Sequence, residues 1–200
     1  MQITKISYDE QRSLFNIQLD TDEKFNISYE IYEKFALKTD QILDVELYNI
    51  LEKENDYQNA KKVAENYLNY KSRTTHELIN KLKSVTKNEK SINKVIEYYK
   101  RLDILNDKRY AEEFIKVYLT MKNESMTKTK YKLMQKGISA KMIDSILEGY
   151  DREIEYENIK IIFEKKYKNK DLSDFKEKQK AFRYLSSRGF QYDAIKRILG

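Results

Sequence analysis

Apolar positions recur along this chain in two rhythms. Within residues 2–28 the rhythm is two: Phe15, Ile17 and Leu19 alternate with polar residues, as do Phe25 and Ile27. Successive strand side chains point to opposite faces, so this pattern predicts strands buried on one side. The polar stretches 8–12 and 20–23 predict the two turns of a three-stranded antiparallel meander. From Ser28 onward the rhythm becomes helical. Ser28 predicts a cap for a short helix through Leu37, and Thr39 or Asp40 a cap for another through Glu52. Ile42, Leu43, Leu47, Ile50 and Leu51 are the expected inward positions of that second helix.

Beyond residue 55 the apolar skeleton repeats three times, first at 51 and then at 52 residues. At the first spacing Tyr67-Leu68 meets Tyr118-Leu119, Lys81-Leu82 meets Lys132-Leu133, and Val95-Ile96 meets Ile146-Leu147. At the second, Leu133 meets Leu185, Gly137 meets Gly189, and Ile143 meets Ile195. A period of this size marks one supersecondary unit stacked on copies of itself. Each unit reads as three helices. In the first, a helix opening near Asn55 or Asp56 carries Ala60, Val63, Ala64, Tyr67 and Leu68. Thr74-Thr75-His76-Glu77 is a capping-box pattern that starts a short second helix, and Ser91 predicts the cap of a third, with Leu102 inward. In the second unit Asn106-Asp107 opens the first helix, the short second helix ends at Gly137, and Ser139 caps the third. The third unit predicts helices near 152–168 and 174–188, the latter ending at Gly189, and a last helix carrying Ile195, Ile198 and Leu199. The expected fold is mainly α: three tandem three-helix repeats (56–104, 105–151 and 152–200) in an elongated array, preceded by a β-meander with short helices over 1–55.

Composition sharpens this picture. There is no Pro and only four Gly in 200 residues, so little interrupts helices. Cysteine is absent, which excludes disulfides and Cys-bound metal and suits a reducing compartment. No apolar run approaches the roughly 20 residues that cross a bilayer, and the first residues do not read as a signal peptide. A cytoplasmic protein is the expectation, with no membrane partner. Charge is laid unevenly: residues 1–55 carry a net −6 and residues 56–200 a net +12. The repeats are therefore the part suited to polyanions.

The basic positions concentrate on the second helix of each unit. Lys128, Lys132 and Lys136 stand at i, i+4 and i+8, one stripe along a helix, with Lys122 and Lys141 nearby. The matching slots of the third unit hold Lys180, Tyr184 and Arg188, with Arg183 beside them; those of the first hold Glu77, Lys81 and Val85. Such a stripe neutralises phosphates and weakens steeply with salt, or is simply a solvated helix face. Among 17 tyrosines, Tyr67, Tyr110 and Tyr118 fall in the apolar stripes; Tyr98, Tyr131, Tyr184 and Tyr192 lie on more polar faces, where a ring stacks on a base or packs at an interface. Catalytic chemistry finds little support. The single histidine, His76, lies inside the capping box, and no phosphate-loop, dinucleotide or zinc-protease motif is present. No enzyme, cofactor or metal is expected.

Four runs together resemble a known family. They are Lys71-Ser72-Arg73-Thr74-Thr75-His76-Glu77-Leu78 with Lys81-Leu82; Leu105-Asn106-Asp107 with Arg109-Tyr110-Ala111; Lys136-Gly137-Ile138-Ser139; and Leu185 with Arg188-Gly189-Phe190. In that order and at that period they resemble the RecX family of RecA regulators, over roughly residues 57–200. Two departures stand out. Thr86-Lys87 occupies the place of a glycine after the second helix of the first unit, and the loop 123–126 lacks one before the second helix of the second. The resemblance implies a non-enzymatic inhibitor that lies along the RecA–single-stranded DNA filament and suppresses its ATPase, strand-exchange and coprotease activities; a monomer is the expectation. DNA alone, single- or double-stranded, would be a weaker, salt-sensitive partner. The residues expected to meet filament or DNA are Arg73, Lys81, Lys122, Lys128, Lys132, Lys136, Lys180, Arg183 and Arg188. The alternatives are a general nucleic-acid-binding helical repeat protein without a RecA role, and a protein–protein scaffold whose lysines only solubilise it.

Overall fold

Strands β1 (Ile3–Asp9), β2 (Leu14–Leu19) and β3 (Lys24–Ser28) pair antiparallel in the order β1-β2-β3. The computed structural model describes residues 1–168, 170 and 173–200. The alternating residues behave as the pattern demands: Ile17, Leu19, Phe25 and Ile27 are buried on one face with Ile3. Both sheet edges are engaged. Ile3 donates its N–H to the Gln41 carbonyl at 3.0 Å, and Leu43 donates to the Met1 carbonyl at 2.9 Å. On the far edge the Asn26 N–H donates to Asn55 Oδ1 at 2.9 Å.

Ser28 caps α1 (Tyr29–Lys34), which ends three residues before the expected Leu37. The next helix departs further from expectation. Asp44, not Thr39 or Asp40, caps α2, which runs unbroken over Val45–Tyr70. Ile42 lies outside it and is 77% exposed, while Leu43 is buried just ahead of the cap. The expected break near Asn55-Asp56 is absent, so the boundary drawn at residue 55 falls inside a helix. The physical reason is visible in the side chains. Asn55 bonds to β3, and Asp56 accepts from Asn88 Nδ2 at 3.2 Å, so neither turns back to cap a helix end. With no Gly or Pro between Glu52 and Gln58, nothing else stops the helix.

Thr74 caps α3 (Thr75–Lys83) with both bonds of the capping box in place. Asn88 rather than Ser91 caps α4 (Glu89–Arg101); Ser91 sits one turn in and donates its N–H to Asn88 Oδ1. Because α4 stops at Arg101, Leu102 falls in the turn that follows and is half exposed rather than inward. Asn106 caps α5 (Asp107–Lys116), which continues into a π-helical turn over Val117–Met121. Ser125 caps α6 (Met126–Gln135), and Ser139 caps α7 (Ala140–Leu147). Helices α8 (Glu153–Tyr167), α9 (Phe175–Ser187) and α10 (Tyr192–Leu199) follow.

The chain forms two compact units, Met1–Leu105 and Asn106–Gly200. In the first, α2 serves two cores. Its N-terminal part covers the sheet through Leu51, and its C-terminal part packs Ala60 and Ala64 against Leu78, Leu82, Val95 and Tyr99. In the second, α5–α7 close around Ile115, Leu119, Leu133 and Ile143, and α8–α10 close around Ile159, Leu185 and Ile195. Gly137 (φ 81°) and Gly189 (φ 86°) take the left-handed conformation just after α6 and α9. Where glycine is missing the chain solves the turn otherwise. After α3, Val85 and Thr86 both donate to the Leu82 carbonyl without a left-handed residue, and in the loop before α6 Asn123 itself adopts φ 50°.

Candidate nucleic-acid interface

The basic positions of the second unit are held by three helices that the fold pins together. The π-helical turn leaves the Leu119 carbonyl without its usual helical partner, and buried Asn158 of α8 fills that gap, donating Nδ2 to it at 2.8 Å and to the Glu124 carbonyl at 3.2 Å. Glu155, also on α8 and buried, accepts the Met126 N–H at 2.8 Å. Ser125 Oγ accepts the Lys128 N–H and donates to the Arg188 carbonyl at 2.8 Å. These bonds fix the start of α6 against α8 and the end of α9.

On this frame the α6 stripe does not project freely into solvent. Lys132 is half-buried, with Nζ 2.7 Å from both oxygens of buried Glu124 and 4.4 Å from the centre of the Tyr118 ring. Lys122 reaches the same ring at 4.5 Å, and Lys136 approaches Tyr110 at 5.6 Å. Lys128 packs its backbone and Cβ beside Gly189. On α9, Lys180 pairs with Glu177 at 2.7 Å, which raises the amine's pKa and lowers the carboxyl's. Arg183 is exposed and bonds Gln179. Arg188 donates Nη1 to the Tyr184 hydroxyl at 3.3 Å, while its buried Nε has no hydrogen-bond partner.

Tyr184 stands among several cations. Lys166 Nζ stands 3.3 Å above its ring. The phenol's pKa is held below its usual value, first by the Arg188 hydrogen bond and then by the charges of Arg188, Lys166 and Lys128, against an opposing effect of burial. Among the described residues, none of these three cations has a carboxylate within ion-pair distance. The structure therefore joins Lys128, Lys166, Tyr184 and Arg188. Lys122 and Lys132 share the Tyr118 ring, whereas Lys180 and Arg183 lie along α9 with partners of their own.

Arg73 and Lys81 belong to the first unit. Arg73 lies with its guanidinium 4.1 Å over the Tyr67 ring and its buried Nε unpartnered; Lys81 is exposed on α3. The sequence reasoning missed Lys166, which sits on a first helix of a repeat rather than a second. It also missed the pairing of rings with cations. The slots for Tyr118 and Tyr184 were visible, but which lysine covers each ring depends on how helices pack.

Among the described residues no group of His, Asp or Glu is arranged to hold a metal ion, and no helix is long and apolar enough to cross a membrane. The family model for RecX, third three-helix domain, matches residues 153–199. The regulatory protein RecX of Finegoldia magna is 36% identical over 100% of this chain and 99% of that protein. That of Clostridium botulinum (strain Alaska E43) is 33% identical over 98% and 94%. A crystal structure of regulatory protein RecX shares the fold with a TM-score of 0.76, at 22% identity over 98% of this chain and 97% of that one. With such identity along nearly the whole of both chains, this chain belongs to the RecX family of regulatory proteins.

Proposed function

We propose that this protein is a non-enzymatic inhibitor of the RecA recombinase. It acts as a monomer in the cytoplasm, binds along the RecA–single-stranded DNA filament, and suppresses its ATPase, strand-exchange and coprotease activities. The observation that carries this reading is the meeting of Lys128, Lys166 and Arg188 around Tyr184, with no carboxylate in ion-pair distance of them among the described residues. Like charges gathered around one ring repel one another, and a phosphate relieves that repulsion. Arg73 and Lys81 add positive charge on the first unit. Modest contacts on linked units strengthen one another through high effective concentration.

The test is RecA-dependent ATP hydrolysis on single-stranded DNA, titrated with this protein at two salt concentrations. The expected result is a fall in ATPase that higher salt weakens. Unchanged ATPase at stoichiometric amounts overturns the reading. Salt-sensitive binding to bare DNA or RNA that RecA does not alter would point instead to a general nucleic-acid-binding protein. For Lys132 and Lys180 the ion pairs with Glu124 and Glu177 favour a structural role, as in a protein scaffold. Lys128, Lys132 and Lys136 changed together to Glu separate the cases: unchanged DNA and filament binding favours the scaffold.

A further inference from the structure

A cleft of about 410 Å³ opens in the first unit, among the β1–β2 turn, the middle of α2 and the end of α4. That volume is in the usual range for a small-molecule site. One wall is cationic: Arg12, Lys61 and Lys62 line it, and among the described residues none of them is in an ion pair. Glu65 is the one acid on the lining. Three positive groups facing one carboxylate leave the recess electropositive, which calls for an anionic ligand.

The rest of the lining is not what a simple anion needs. Leu102 and Ile104 are each 51% exposed at the rim, with Asp103 between them at φ 54°. Tyr98 lines the cleft beside them with Lys61 Nζ 4.1 Å above its ring. Two carboxamides also face the space, Gln11 and Asn69, and neither has a hydrogen-bond partner among the described residues. The other two asparagines of the lining, Asn26 and Asn59, are already tied to Asn55. The open features are thus apolar and aromatic surface, two paired donor–acceptor groups, and positive charge. A flat heterocycle uses the first, its polar edge the second, and an attached phosphate the third.

We infer that this cleft binds a nucleotide, with the base against Leu102, Ile104 and Tyr98, its edge on Gln11 and Asn69, and the phosphate on Arg12, Lys61 and Lys62. The same chemistry is offered by a free mononucleotide and by one nucleotide of a single strand. The site lies wholly in the first unit and does not draw on the cations around Tyr184, so it stands or falls apart from the proposed function.

Fluorescence anisotropy of the full chain with a ribose-labelled fluorescent AMP tests it, with unlabelled AMP, tripolyphosphate and a short single-stranded oligodeoxyadenylate as competitors. Arg12, Lys62 and Asn69 are exposed, so Arg12→Glu, Lys62→Glu and Asn69→Leu leave the fold intact, which circular dichroism verifies. Saturable binding is expected, displaced by AMP but not by tripolyphosphate. Lys62→Glu should weaken it about tenfold, as removal of one charge-assisted hydrogen bond does, and Lys128→Glu should not change it. Displacement by AMP identifies the free nucleotide as sufficient. Binding of a labelled oligonucleotide without any binding of labelled AMP, with the oligonucleotide's binding weakened by Lys62→Glu, identifies the strand as the source. The inference is overturned if neither ligand binds at millimolar concentration, if tripolyphosphate competes as well as AMP, or if Lys62→Glu and Asn69→Leu leave binding unchanged.

Discussion

The buried carboxylate of Glu155 accepts the backbone N–H of Met126 at 2.8 Å, so a side chain of α8 closes the first turn of α6. Burial raises the Glu155 pKa above the ordinary carboxyl value, opposed by the Met126 bond and by the Arg152 charge. An acid raised in the folded state holds its proton more tightly there than in the unfolded chain. Its contribution to stability is therefore fullest below the unfolded carboxyl's pKa and is lost as pH rises through the folded value. Glu155→Gln keeps the acceptor and cannot ionise. Urea midpoints should show the variant gaining on the wild type from acidic to neutral pH; a difference independent of pH sinks this account. Glu155→Leu strands the Met126 N–H and should cost about 1–3 kcal/mol at all pH values.

Asn158 has the same linking role for the π-helical turn. Asn158→Leu leaves two carbonyls, of Leu119 and Glu124, without their donor inside the second unit. The expected loss is roughly 2–4 kcal/mol by chemical denaturation, with the slope against denaturant unchanged. A variant as stable as the wild type would show that water reaches those carbonyls.

Lys132 and Arg188 should separate stability from affinity. Lys132→Met leaves Glu124 buried without its partner and is expected to lower stability by about 1–3 kcal/mol while changing filament or DNA binding little. Arg188→Gln and Lys128→Gln remove cations that form no ion pair among the described residues. They should weaken binding several-fold and flatten its salt dependence, by about one unit of log–log slope for each phosphate no longer neutralised. Binding isotherms at three salt concentrations with parallel melts decide it; the reverse pattern refutes this assignment.

Gly189 carries a steric prediction. Its φ of 86° disfavours any side chain, and a Cβ built there meets Ser125 Oγ at 2.7 Å. Gly189→Ala should cost at least about 1–2 kcal/mol from conformation alone, with the close approach adding to it. Ser125→Ala loses a helix cap, worth about 1 kcal/mol, yet also removes the clashing oxygen. The double variant should therefore be more stable than the sum of the two single effects, and strict additivity would argue against the clash.

Much of the helical scaffold was legible because its cues are local. Thr74 with Glu77, Asn106, Ser139 and the two glycines after α6 and α9 act within a few residues of their own position, and the apolar period reports which face of each helix is covered. The misreadings arose where a local cue had a distant competitor. Asn55 and Asp56 look like helix starts, but β3 and Asn88 claim their side chains, so α2 runs through them. At α4, Asn88 and Ser91 both fit a cap, and the more N-terminal one holds the position.

Residue order alone carries the β-meander, the threefold helical period, the placement of positive charge on the repeats, and the motif order that marks the family. Periodicity and capping are properties of neighbours along the chain, so a linear sequence contains them. Helix packing settles which charges remain unpaired. Lys128, Lys132 and Lys136 are equivalent in spacing, yet packing gives Lys132 a buried carboxylate and sets Lys128 beside Gly189, near a lysine and an arginine from other helices. Coulomb energy depends on distance through space and on the dielectric around each pair. Neither quantity is written in the order of residues.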